Sequence, residues 1–386
     1  MDQVRRLENV PPIGVDAMGA AADAAQDPTI LRLENLDTDL RPPAEAVAAT
    51  KQSADRDKDN SYLPFLGRLE LREAVTAHLK KLSGQVYHPR QECLVTAGGL
   101  NGCLVALNAL INPGDEVIVT DPTYVGLLNR IRIAGGRPVQ VPYNLVDDQW
   151  RLDLDELKAA VSPKTKAFLV MSPSMPSGAT LNRSEWQVIC DLCHKIGAWL
   201  VYNAAMERIL YDQTEYLHPA SFAGMRDRTI TIGSVSKEFR MIGWRVGWVV
   251  GPAPIMRDVG LVSSSDVVVP VGLAQPAAKA ALEADEADLL KAVKTWEDRR
   301  NLIMDELAGL PLRSAAGGWS MLLDAGELGM SGLQASKRLF DIGRIAATPM
   351  VNWGRRHGEQ YVRFVFSNEP VERLRGIGER VRRSLT

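Results

Sequence analysis

Apolar positions along the chain follow two different periods. From Leu69 to Leu82 they recur every three to four residues, the spacing of a helix with one buried stripe. Short continuous runs such as Glu116-Val-Ile-Val-Thr-Asp121 and Ala167 to Met171 read instead as strands buried on both faces. The two kinds alternate. Strands are predicted at Cys93 to Thr96, Glu116 to Asp121, Ala134 to Pro142, Ala167 to Met171, Ala198 to Tyr202, Thr229 to Ile232 and Val246 to Val250. Helical segments lie between them: Gly99 through Ile111, Leu154 to Ala160, and the segment from Ser184 to Ile196. Such alternation predicts an α/β fold with a mostly parallel, seven-stranded sheet sandwiched by helices. Ligands of these sheets sit beyond the carboxyl ends of the strands.

The flanks read differently. A leading arm and a helix from Val15 to Ala25 stop near Pro28, Leu31 to Pro43 reads as an irregular crossing, and Ala44 to Gln52 as a helix. From about Val267 a long helical region begins, with strong periodicity over Gln275 to Ala284 and Asp288 to Leu307. Three later strands, within Gly317 to Asp324, Gly343 to Pro349 and Gln360 to Phe366, and a final helix from Val371 to Leu385 suggest a smaller α+β unit.

Composition narrows the function. A length of 386 residues suits two units sharing a core. The formal net charge of −2 provides no basic field for nucleic acid or an anionic membrane surface. No apolar run approaches a bilayer span, and Met1-Asp-Gln-Val-Arg-Arg-Leu7 leads into no apolar stretch of the secretory type. Four cysteines fit a reducing, cytoplasmic setting. Cys190-Asp-Leu-Cys193-His194 spells a haem-attachment pattern, but its helical periodicity puts both cysteines on a face with Trp186 and Ile189, so core packing is the better reading and no metal is expected.

Candidate chemistry centres on the run Ser234-Val-Ser-Lys-Glu-Phe-Arg-Met-Ile-Gly-Trp-Arg-Val-Gly-Trp248. A lysine in so apolar a segment is partly desolvated, which brings its amine toward neutrality and lets it attack a carbonyl. Arg245, eight residues on, is a fixed planar cation suited to phosphate. Ser234, Ser236, Lys237 and Arg245 together make a hook for an aldehyde that carries a phosphate; pyridoxal phosphate is that molecule, and a lysine Schiff base is its usual tether. Taken alone, the run also fits a surface lysine beside a helix.

The pattern S-x-S-K-x-F-x-M-x-G-W-R-x-G closely resembles the lysine signature of the class I aminotransferases, fold-type I pyridoxal phosphate enzymes. Asn112-Pro-Gly-Asp-Glu-Val117 and Tyr361-Val-Arg363 add to the resemblance, which runs from about Leu31 to Leu385. It implies a large cofactor-binding domain over residues 46–275, a small C-terminal domain over 276–386, and an N-terminal arm, 1–45, contributing to the small domain, so that both termini build it. It also implies a cytoplasmic homodimer with shared sites, acting on a small-molecule amino acid and a 2-oxo acid. By the same resemblance, Lys237 forms the Schiff base and carries the proton; Gly98, Gly99 and Leu100, at a glycine turn opening a helix, hold the phosphate with Ser234, Ser236 and Arg245; Tyr124 stacks on the ring. Tyr62, in Ser61-Tyr-Leu-Pro-Phe-Leu-Gly67, reaches a neighbour's phosphate, and Arg363 binds the substrate α-carboxylate.

Three cofactor positions depart from the pattern. The family's N-P-x-N-P-T-G stands here as Ser172-Pro-Ser-Met-Pro-Ser-Gly178, which puts Met175 where an asparagine donates to the pyridoxal 3′-oxygen. Its D-E-x-Y-E-R stands as Asn203-Ala-Ala-Met-Glu-Arg208, so Asn203 replaces the aspartate opposite the ring nitrogen and Met206 a tyrosine donor. A slip of one residue would bring in Tyr202 but would turn the strand over. An amide adds no charge and a thioether donates nothing. The cofactor is therefore expected to be a weaker electron sink, with Ser172, Ser174 or a water serving the 3′-oxygen. Transamination leads. Racemisation, elimination or decarboxylation on the same cofactor is the alternative, and a non-catalytic ligand-binding relative the third. A regulator is disfavoured because the fold is expected to start almost at the first residue.

Overall fold

The computed structural model describes Val4 and residues 7–386. The opening segment read above for a secretory signal lies mostly outside them. Strand β1 (Leu31–Leu33) comes first. Eight strands follow: β2 (Cys93–Thr96), β3 (Glu116–Asp121), β4 (Arg137–Val146), β5 (Gln149–Leu152), β6 (Thr165–Val170), β7 (Trp199–Asn203), β8 (Thr229–Ser234) and β9 (Gly247–Val250). The last four are β10 (Leu312–Arg313), β11 (Ser320–Asp324), β12 (Ile345–Pro349) and β13 (Tyr361–Val365).

Strands β2 to β9 form one sheet in the order β2-β9-β8-β7-β6-β3-β4-β5. The run β8-β7-β6-β3-β4 is parallel, while β9 is antiparallel to both its neighbours. The seven expected strands are present. An eighth, β5, pairs antiparallel with β4 across the turn at Asp147 and Asp148, both at positive φ. It escapes the periodicity because it is a short hairpin return after a polar turn rather than a run bounded by helices.

Every residue of β3 and β8 is buried, so neither strand has an exposed face, as expected for the centre of a sheet covered on both sides. Side chains alternate between the two faces. Val117, Val119, Leu169 and Val201 pack in one core with the helix Gly99–Leu110. Ile118, Phe168, Val170, Leu200 and Tyr202 pack in the other with the helix Arg183–Ile196. That helix starts in a capping box, Asn182 with Glu185, and carries Cys190 and Cys193 in its buried face. All four cysteines are buried and free, and no cluster of metal-binding side chains occurs among the described residues.

The smaller sheet runs β1-β12-β13-β11-β10 and joins both ends of the chain. Part of the segment expected to be irregular is strand β1, whose Leu31 and Leu33 are buried against β12 in parallel register. Three residues are too few to show a period. The helical region expected from about Val267 opens a few residues later, with Gln275–Leu282 and Glu286–Glu306; ahead of it stands a helix the periodicity did not single out, Ala253–Asp266, which stops before Val268 at positive φ. The last helix is broken at Arg375-Gly376, where Gly376 takes φ 80° and starts Ile377–Leu385. No helix among the described residues is long and apolar enough to cross a membrane.

Candidate active site

The parallel strands β3, β6, β7 and β8 all end at one edge of the large sheet, and β9, running the other way, begins there. That edge faces the smaller sheet across a cavity of about 320 Å³. Gly99, Leu100, Tyr124, Met175, Asn203, Met206, Ser234, Ser236, Lys237, Arg245 and Arg363 line it. Gly98 stands one residue behind the lining, and Tyr62 is exposed and away from the cavity.

One end of the cavity is built from short side chains and main chain. The helix Gly99–Leu110 has no side-chain cap, so first-turn amides are left for an outside acceptor. Gly98 at φ 87° lets the guanidinium of Arg245 lie across the turn; a Cβ there would come within 2.5 Å of Arg245 Nη2. Ser234 Oγ donates to Ser236 Oγ at 2.8 Å, and Arg245 Nη1 donates to the Ile242 carbonyl at 2.7 Å.

Lys237 sits just beyond, half-buried, with Nζ donating to the Leu36 carbonyl at 2.7 Å and lying 4.9 Å from the centre of the Trp319 ring. It has no ion pair among the described residues. Burial, with smaller contributions from Arg363 and Arg245 and against the opposing charge of Asp37, brings its pKa down to about 7 from the usual 10.5. Near neutrality a large fraction of this amine therefore carries a free electron pair.

The far wall is Arg363, at the middle of β13, which is itself the central strand of its sheet. It is buried; Nη2 donates to the Glu34 carbonyl, Nη1 approaches Met175 Sδ at 3.5 Å, and Nε has no partner. Burial lowers its pKa to about 10, still well above neutrality. A buried guanidinium with an unpaired nitrogen is a ready receptor for a carboxylate. Tyr124 stands between, its ring edge-on to Trp353 at 5.3 Å.

The ring end matches the departures in the sequence. Asn203 is the last residue of β7 and its Oδ1 accepts from Ala205 N at 3.2 Å. Tyr202 points to the opposite face, donates to the Ser172 carbonyl at 3.0 Å and packs on Trp186 and His218, outside the cavity. Of the replacements expected to serve the 3′-oxygen, Ser172, Ser174 or a water, neither serine lines the cavity. Ser172 Oγ is instead taken by Leu181 N at 3.0 Å, because the segment after β6 folds back on itself.

Sequence reasoning missed the roof. Ile13, Val15, Asp16, Asn35 and Leu36 all line the cavity, brought there from the N-terminal arm. It also missed Trp353, which holds the Ile13 carbonyl at 3.2 Å and lies beneath both Tyr124 and Arg363. A lone tryptophan in a glycine-flanked loop, Asn352-Trp-Gly354, was the available signal.

The class I and II aminotransferase family matches residues 30–374 of the chain. This protein belongs to that family. The arginine–pyruvate transaminase of Pseudomonas aeruginosa is 34% identical over 326 residues, covering 83% of this chain and 82% of that one. The aspartate aminotransferase of Pyrococcus abyssi is 30% identical over 386 residues, covering 98% and 97%. The solved aspartate aminotransferase of Thermus thermophilus with maleate superimposes with a TM-score of 0.92 at 28% identity over the full length of both chains. The class I and II aminotransferase described here therefore uses pyridoxal phosphate and moves an amino group between an α-amino acid and a 2-oxo acid. Racemisation, elimination and decarboxylation are not favoured, since these relatives are named transaminases. The cup of Ser234, Ser236 and Arg245, the near-neutral amine and the orphaned Arg363 Nε all fit the cofactor and its amino-acid partner; Met175, Met206 and Asn203 fit its ring more loosely.

Proposed function

We propose that the cavity works as a line of three cations with separate tasks. Arg245, with Ser234, Ser236, Gly98, Gly99 and Leu100, holds the cofactor phosphate. Lys237 is the covalent tether and afterwards the base that takes the proton from the substrate Cα. Arg363 grips the α-carboxylate and so fixes that Cα–H within reach of Lys237 Nζ. Tyr124 stacks on the ring, and Tyr62 completes the phosphate cup of a second copy in a homodimer. Pyridoxal phosphate, when bound, supplies the conjugated ring that stores the electron pair left on Cα. Met175, Met206 and Asn203 would face that ring and would add neither charge nor a strong donor, so they would stabilise its electron pair less than an aspartate would.

The observation that carries this reading is a near-neutral lysine amine sharing one cavity with a buried arginine that has an unpaired nitrogen. Two domains, divided near residues 45 and 275, meet at this cavity. Free, buried cysteines support a cytoplasmic setting. The test is to mix the reconstituted enzyme with one amino acid and several 2-oxo acids. A new amino acid together with the matching 2-oxo acid is expected; ammonia, carbon dioxide or racemised substrate without an acceptor would count against transamination.

A further inference from the structure

With Arg245 and Lys237 committed to the cofactor and Arg363 to the α-carboxylate, the cavity's remaining charge decides the rest of the substrate. Among the described lining residues those three are the only cations, and Asp16 is the only acid. The Asp16 side chain forms no hydrogen bond and no ion pair among the described residues, and it shares the cavity wall with Tyr124. Ile13, Val15 and Leu36 line the same roof and present apolar surface next to it.

We propose that Asp16 selects α-amino acids whose side chain has an apolar stem and a cationic tip. This rests on the transaminase reading of the same cavity. The stem runs along Ile13, Val15 and Leu36 and loses water there, and the tip meets an otherwise unpaired carboxylate at the mouth. A side chain ending in a carboxylate meets no spare cation and faces Asp16 instead, so dicarboxylic amino acids are rejected by repulsion. The competing role for Asp16 is local: an acid in the first turn of the helix Val15–Ala25 also complements the helix dipole. That role acts on stability and not on substrate choice, which separates the two.

The test compares kcat/KM of the reconstituted enzyme for arginine, lysine, norleucine and glutamate, with one fixed 2-oxo acid. The basic amino acids are expected to exceed norleucine, and norleucine to exceed glutamate. In Asp16→Asn the ratio of arginine to norleucine is expected to fall about three- to tenfold, mainly through KM, as for a partly screened ion pair. In Asp16→Lys the order of arginine and glutamate reverses. The advantage of arginine over norleucine should also shrink as salt is raised in the wild type and not in Asp16→Asn. An unchanged ratio in Asp16→Asn, with only the melting temperature altered, overturns the proposal and leaves transamination standing. Turnover of none of the four amino acids overturns both.

Discussion

The two ends of the cavity obey different rules. One end, the proposed phosphate end, is made of the start of a helix, two serines bonded to each other, and an arginine laid across a glycine. At the ring end stand two methionines and an amide already engaged with its own main chain. The first end is electrostatically committed, the second nearly neutral. On the reading proposed above, holding a coenzyme and tuning it are separable tasks, the first kept in this chain and the second relaxed.

The sharpest break of that contrast is at its midpoint. Lys237→Ala should abolish the visible imine band and reduce turnover by about 10⁴-fold, measured by absorbance and a coupled assay. Arg363→Leu should leave the band in place and lower kcat/KM by about 10²- to 10³-fold, because one partner of a buried carboxylate pair is lost. Arg245→Gln should weaken cofactor binding by about ten- to a hundredfold without moving the band, read by titrating the apoprotein. Asn203→Asp should do the reverse: cofactor affinity within about threefold, but a displaced band and a turnover raised about tenfold, because a carboxylate there keeps the ring nitrogen protonated. If Asn203→Asp left both spectrum and rate alone, the ring end would have no tuning role.

The smallest effect is on stability. In the cofactor-free protein Lys237 titrates near 7 against 10.5 when unfolded, so the unfolded chain binds more protons between those values. Stability of the apoprotein should therefore rise with pH through that window, and Lys237→Met should flatten the rise, checked by denaturant melts across the range.

How much of this was legible depended on whether a residue's role is local. The lysine run could be read because Ser234, Ser236, Lys237 and Arg245 sit within twelve positions of one another. The register of β7, with Asn203 inward and Tyr202 outward, could be read because strand alternation fixes it. Strand β1 could not, since three residues show no period and its partner is more than three hundred residues away. The roof of the cavity was hidden for the same reason: Ile13 and Asp16 line it from the N-terminal arm, and Trp353, which holds the Ile13 carbonyl, lies 340 residues further on. The break at Gly376 was hidden by the strong periodicity of Val371 to Leu385, which a single left-handed glycine interrupts without altering.

Between β1 and the helix that follows, three main-chain oxygens have already been claimed: Glu34 by Arg363, Leu36 by Lys237, and Asp37 by Ser367. The ribbon that forms part of the cavity roof is thus pinned through its own main chain by side chains from both sheets' ends, so its position follows theirs. Removing one anchor at a time, as in Lys237→Ala or Ser367→Ala, should let this ribbon open more often and raise deuterium uptake at amides 34–37 step by step.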